Sequence, residues 1–187
     1  MKIKDRRVRK TKALIKKALT QLLMEHDLKD ISVSKLAELA DINRGTFYLH
    51  YKDIYDLFEQ IEKETLHDFT SLIEKHRHNA KTPLMPVLLE AFKYIAANSE
   101  VFIGLLRTKE TMFLNTVVEM CRPRNKEEWR HLFPSGEEKY YNYYYTFIAF
   151  GCVAILRRWF DGGMTESPED IAALAEKMMS NCTANLS

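Results

Sequence analysis

The side chains best equipped for chemistry in this 187-residue sequence crowd into the short stretch from Asn43 to Lys52. Arg44 carries a fork of donors that fits guanine O6 and N7 in a major groove, while Thr46, Tyr48, His50 and Lys52 offer single donors suited to phosphate oxygens. Gly45 removes a side chain where a duplex would come nearest, and Leu49 shares the same outer surface. Phe47 and Tyr51, four residues apart, continue an apolar stripe to Ile54 and Phe58, so they face a core and leave the opposite surface to a ligand.

No other constellation competes. His76 and His78 are two apart, which on a helix turns them to different sides, and Lys75 and Arg77 beside them repel a cation. His26, His67 and His131 have no carboxylate or cysteine at a ligand spacing. Cys121, Cys152 and Cys182 form neither a CxxC pair nor a disulfide framework and read as reduced thiols. A glycine-rich phosphate loop and a GxSxG elbow are both missing. The acidic pairs Glu127–Glu128 and Glu137–Glu138 read as surface charge. An enzyme, a metal centre and a cofactor are therefore not expected.

The charge distribution points the same way. Residues 1–52 hold 13 Lys and Arg against 6 Asp and Glu, whereas the remainder holds 15 against 20, so a net charge of +2 conceals an amino-terminal quarter built for a polyanion. The 46% hydrophobic content supplies a core without staples, and only 5 Pro and 6 Gly interrupt the chain, which favours an all-α fold. No apolar run approaches the ~20 residues that span a bilayer, and the basic start has no apolar signal core, so a cytoplasmic protein without a membrane partner is expected.

The elements that must hold this surface follow from periodicity. Thr11 to His26 places Ile15, Ala18, Leu19, Leu22 and Leu23 on one helical stripe. Ser32 caps a short second helix through Ala40, and Asn43 caps a third after an apolar plug at Ile42. Small Ala37 and Ala40 permit the steep crossing of a helix-turn-helix. A long fourth helix runs from Asp53 to the basic stretch at 75–78. Further helices are expected from Thr82–Pro83 to Asn98, Glu100 to Arg107, Thr111 to Cys121, Lys139 to Phe160 and from Ser167 onwards. Lys126 to Phe133 reads as a loop before the breaker Pro134-Ser135-Gly136. The division expected is a basic arm and helix-turn-helix domain over 1–52 and a helical regulatory and dimerisation domain over 53–187.

At these residues a resemblance becomes specific. Ile15 to Leu57, through Ser32-x-x-Lys35-Leu36-Ala37-x-x-Ala40 and Gly45-Thr46-Phe47-Tyr48-x-His50-Tyr51, resembles the DNA-binding domain of TetR-family one-component regulators. The resemblance implies phosphate contacts from Thr46 and Tyr48, with Ser34, Arg44 and Gly45 at or near base edges. The contact set for double-stranded operator DNA is thus Ser32, Ser34, Lys35, Asn43, Arg44, Gly45, Thr46, Phe47, Tyr48, Leu49, His50 and Lys52. Three positions depart from the family's pattern. Asp27 and Asp41 stand where turn glycines are usual, which suggests left-handed aspartates, and Ile54 stands where many relatives place a phosphate-binding lysine. Lys52 or the arm from Lys2 to Lys10 is expected to replace that contact.

The last two helices are too apolar for one subunit to bury. Residues 140–150 are aromatic or apolar nearly all round, Gly151 and Ala154 offer a flat strip, and the last helix carries a matching stripe. A homodimer is expected through Tyr141, Ile148, Gly151, Ala154, Ile155, Ile171, Leu174, Ala175 and Met178. The family resemblance implies a small apolar or aromatic effector, for which Phe69, Phe92, Phe102, Met112, Phe113, Met120, Tyr144 and Phe147 are candidate pocket residues. A repressor released by that effector is the leading expectation. Residues 151–171 further resemble the DhaS-like branch of the family, which makes recruitment of a protein co-regulator the alternative.

Overall fold

A computed structural model of the protein describes residues 2–76, 84–108, 113–124, 126–134 and 136–184. Every regular element among them is helical: α1 (Lys2–Glu25), α2 (Val33–Leu39), α3 (Arg44–Tyr48), α4 (Ile54–His76), α5 (Leu84–Ala97), α6 (Ser99–Arg107), α7 (Phe113–Cys121), α8 (Lys126–Leu132), α9 (Tyr141–Asp161) and α10 (Pro168–Ala184). No helix among the described residues is long and apolar enough to cross a membrane. Two compact units result, Met1–Leu66 with Glu100–Phe113, and His67–Ser99 with Leu114–Ser187.

In the first unit, Ile15, Leu19 and Leu22 of α1 bury against the same core as Leu36 and Ala37 of α2, Phe47 of α3 and Leu57 of α4. The expected boundary after Lys52 therefore falls inside this unit, because Ile54, Leu57, Phe58 and Ile61 are all buried. Helix α1 begins at Lys2 rather than near Thr11, so the basic arm is helical; the stretch up to Glu25 has neither Gly nor Pro to stop it. A Cβ on Gly104 would come within 3.3 Å of Leu23 Cδ1, so the glycine lets α6 lie close on α1. Arg107 Nη1 then donates to the Met24 carbonyl at 2.5 Å and satisfies an end group of α1.

In the second unit α10 packs on α5 and α9, with Ile171, Ala172 and Ala175 buried and the Phe92 and Trp159 rings 6.0 Å apart. The stretch expected as a loop is helix α8. Trp129 stacks on Tyr141 at 5.6 Å and Phe133 is fully buried, so tertiary contacts hold a segment whose neighbouring Pro and Gly argued against a helix. Glu127 and Glu128 in its first turn and Arg130 and His131 in its last also complement the helix dipole. Tyr145 Oη donates to the Val118 carbonyl at 2.6 Å, which gives the buried phenol its partner. All three cysteines are thiols, and burial pushes the Cys152 thiol up to about 11. Helix α9 ends at Gly162–Gly163, where Gly163 takes φ 78°, and Ser167 Oγ accepts from Asp170 N at 3.1 Å to start α10. Arg77, His78 and the Thr82–Pro83 start expected for α5 lie outside the described residues, as do Thr111 and Ser135.

Candidate nucleic-acid interface

The outer surface of α3 is fixed by a chain of local caps. Ser32 Oγ accepts from Lys35 N at 3.2 Å and starts α2. Asp41, at φ 51°, ends it in a left-handed turn, where Asp41 N donates to Glu38 O at 3.1 Å and Ile42 N to Ala37 O at 3.0 Å. The left-handed aspartate expected there is present. Asp27 is different: it has φ −67° and ψ 147° and extends into a 3-10 turn at Leu28–Asp30, so that position needs no glycine. Asn43 Oδ1 accepts from Gly45 N at 2.8 Å and starts α3.

A second pair of caps, absent from the sequence reading, holds the far side. Asp56 N donates to Asp53 Oδ1 at 2.8 Å, and Lys52 N donates to Asp56 Oδ2 at 2.8 Å, a box at the start of α4 shifted by one residue from the usual capping box. The Lys52 amide, followed by the Gln60 side chain, holds the Asp56 carboxyl below its usual range. The box is therefore intact at neutral pH and loosens as acid protonates Asp56. Its signal in the sequence was the Asp53-x-x-Asp56 spacing.

Within this frame Arg44, Gly45, Tyr48 and Leu49 form one exposed strip, with Tyr48 58% and Leu49 79% exposed. Ser32, Lys35, Asn43 and Lys52 are also exposed, while Ser34, Thr46 and His50 are half-buried. Phe47 follows the apolar stripe and not the contact set. Its side chain is 0% exposed, so it supports the strip from beneath and touches no ligand; the Tyr48 ring stands edge-on to it at 5.5 Å. Ile54 is buried, consistent with the missing phosphate lysine at that place. Lys35 Nζ lies 2.5 Å from His26 Nε2, a partner not foreseen, and Lys12 lies 5.6 Å over the Tyr51 ring. Burial, with Glu64 and Asp56 nearby, raises the Tyr51 phenol.

Gly45 is not required by the fold. A Cβ there would meet only Asn43 Oδ1, at 3.4 Å, and its backbone is helical. Alanine at a position whose backbone it adopts without strain is favoured over glycine by about 0.4–1 kcal/mol, chiefly by narrowing the unfolded chain. Gly45→Ala should therefore raise the unfolding midpoint while weakening duplex binding, checked by thermal unfolding and mobility shift on one preparation. Undiminished binding would remove Gly45 from the contact surface.

The second unit redistributes the other nominated residues. Tyr141 and Ile148 belong to the core with Val118, Phe133 and Tyr145, and Ile171 and Ala175 are buried against α5 and α9, so these four do not offer themselves to a partner. Gly151, Ala154, Leu174 and Met178 are exposed, and Ile155 is half-buried. Three residues outside the expected dimer set, Tyr143, Phe147 and Phe150, lie on one α9 face with Gly151 and Ala154. Their spacing carried the signal, lost because a helix apolar all round shows no preferred side.

The candidate pocket residues are divided between the two units. Phe102 faces Phe113 edge-on at 5.6 Å in the first unit. In the second, Phe69 packs on Tyr94 at 6.0 Å, Phe92 on Trp159, and Tyr144 on Phe133 at 5.6 Å. Met120 is 38% and Phe147 71% exposed, and Met112 lies outside the described residues.

Comparison with known proteins agrees with this geometry. Residues 15–61 match the profile described as "Bacterial regulatory proteins, tetR family", and 83–181 match the one described as "Transcriptional regulator C-terminal region". The uncharacterized HTH-type transcriptional regulator YxbF of Bacillus subtilis is 37% identical over 49 residues, 26% of this chain but only 13% of that protein. A TetR transcriptional regulator of Streptococcus agalactiae is similar in structure, with TM-score 0.63 and 23% identity over 95% of this chain and 97% of the other. The regulator FadR of Bacillus subtilis, solved in complex with stearoyl-CoA, has TM-score 0.62 and 18% identity over 94% and 99%. At these identities the structural likeness concerns the fold.

Proposed function

Because this chain belongs to the TetR family of bacterial transcriptional regulators, a DNA-binding family and not a family of enzymes, we propose that it is a homodimeric repressor released from its operator by a small-molecule effector. The observation that carries the DNA contact is the α3 strip of Arg44, Gly45, Tyr48 and Leu49, exposed in a segment with 13 basic against 6 acidic residues. Arg44 reads bases, with Ser34 at or near a base edge. Tyr48, Thr46, His50, Lys52 and Lys35 hold phosphates, and Ser32 and Asn43 set the helix starts that aim them.

Dimerisation is proposed through the exposed apolar face of α9 with Leu174 and Met178 of α10. A two-fold dimer suits a palindrome because two recognition helices must enter major grooves about 34–36 Å apart. Effector release is supported by the family and by the stearoyl-CoA held by its FadR relative. A small apolar or aromatic compound suits the aromatic interior of the second unit.

The deciding experiment is a titration of the full-length protein against duplexes selected from a random pool, with and without candidate effectors. Sequence-selective binding relieved by a small molecule is the expected result. Binding that no compound relieves, but that a co-purifying protein alters, would favour the co-regulator role of the DhaS-like resemblance instead.

The arm supplies a quantitative check. Residues 1–10 hold six basic side chains and one acid, on the first turns of α1. Each phosphate neutralised adds about 0.9 to the slope of log K against log salt. Removing residues 1–10 should therefore make that slope shallower by about 1 or more. An unchanged slope would mean the arm stays clear of the duplex.

A further inference from the structure

We propose that Gly45 and Leu49 together read the 5-methyl group of a thymine in the major groove, an assignment that rests on the DNA-binding reading above. Leu49 is the most exposed of the large hydrophobic residues described, at 79%. The fold does not use its side chain: its part in α3 is its backbone, whose N–H donates to the Gly45 carbonyl at 3.2 Å. Four residues apart on a helix, the two share one face. One turn before Leu49, Gly45 leaves a gap open to solvent, since a Cβ there would meet nothing nearer than Asn43 Oδ1 at 3.4 Å.

The surroundings select the occupant. Arg44 precedes this gap, Tyr48 borders it, and Lys52 follows, all exposed. An apolar protein surface laid on Leu49 would have to strip water from the two cations, Arg44 and Lys52, without compensation. A duplex satisfies both needs. Its phosphates pair with the cations and its major-groove edge presents one apolar group, the thymine methyl, whereas adenine, guanine and cytosine present only polar edges beside their ring C–H groups. Leu49 has no hydrogen-bonding group, so the contact it makes is lost when that methyl is removed.

The test is a cycle of two proteins on two duplexes. The best duplex recovered by the wild type from a random pool is resynthesised with deoxyuridine for each thymidine of one half-site in turn, which deletes the methyl and leaves base pairing intact. At one position the wild type should bind the uracil form roughly fourfold more weakly, the worth of one buried methyl. Leu49→Ala, truncated where the side chain is exposed, should keep the wild-type circular dichroism and bind both forms equally. Wild-type binding that ignores the methyl at every position, or a Leu49→Ala protein that keeps the preference for thymine, would overturn the assignment while leaving DNA binding in place. Failure of the wild type to recover any duplex would overturn the assignment and the DNA-binding reading together.

Discussion

Replacing Phe147 by glutamate should yield a monomer that no longer holds an operator. Phe147 is 71% exposed and sits near the middle of the α9 face formed by Tyr143, Phe147, Phe150, Gly151 and Ala154, with Leu174 and Met178 exposed on α10. An aromatic ring in the centre of an interface is the usual seat of a hot spot, worth about 2–4 kcal/mol when lost. The symmetry of the proposed homodimer applies the change twice and places two carboxylates in an apolar contact, where each must be desolvated without a partner. Association should weaken by at least about a hundredfold in the dimer constant, since each ~1.4 kcal/mol is a factor of ten. Because the ring is exposed in the subunit, circular dichroism and thermal unfolding of the variant at low concentration should match the wild type. Sedimentation velocity at micromolar protein and a mobility shift on a palindromic duplex read the outcome. A Phe147→Glu protein that still sediments as a dimer would move the interface away from α9.

Phe47→Ala should collapse the reading surface without touching it. Phe47 is fully buried, under the strip it supports, and contacts the Tyr48 and Tyr51 rings at 5.5 and 5.7 Å. Truncating a buried phenylalanine costs about 3–5 kcal/mol, a large part of the roughly 5–15 kcal/mol that stabilises a domain. The two tryptophans provide a separate reporter, because Trp129 and Trp159 both lie in the second unit. Urea unfolding followed by circular dichroism should therefore show an early loss of helix that tryptophan fluorescence does not follow. Operator binding should fall below detection. Coincident transitions by the two signals, at the wild-type midpoint, would contradict the packing described for α3.

Much of the reading unit was legible from residue order alone. Ser32, Asn43 and the apolar stripe from Ile15 to Leu23 act through neighbours a few residues away, so caps and periodicity report them directly. The same locality explains why Asp41 was foreseen in its left-handed turn. Where tertiary contacts compete with local preference, the reading diverged. The α8 segment is a helix because Trp129 and Phe133 pack on Tyr141 and Tyr145, residues whose proximity no local pattern encodes.

What the sequence by itself determined is the helical fold, the basic amino-terminal quarter, the caps that start α2 and α3 and the outward strip on α3. These follow from helical periodicity, from hydrogen bonds between near neighbours and from charge. Only the tertiary structure decided that α6 belongs with the first unit and which side of α9 remains exposed. In a helix apolar on every side each face is an equal claimant to burial. The tie between Tyr141 and Ile148 on one side and Tyr143 and Phe147 on the other is broken only by the residues that pack against it, Val118, Trp129 and Phe133, which fill one face and leave the other open.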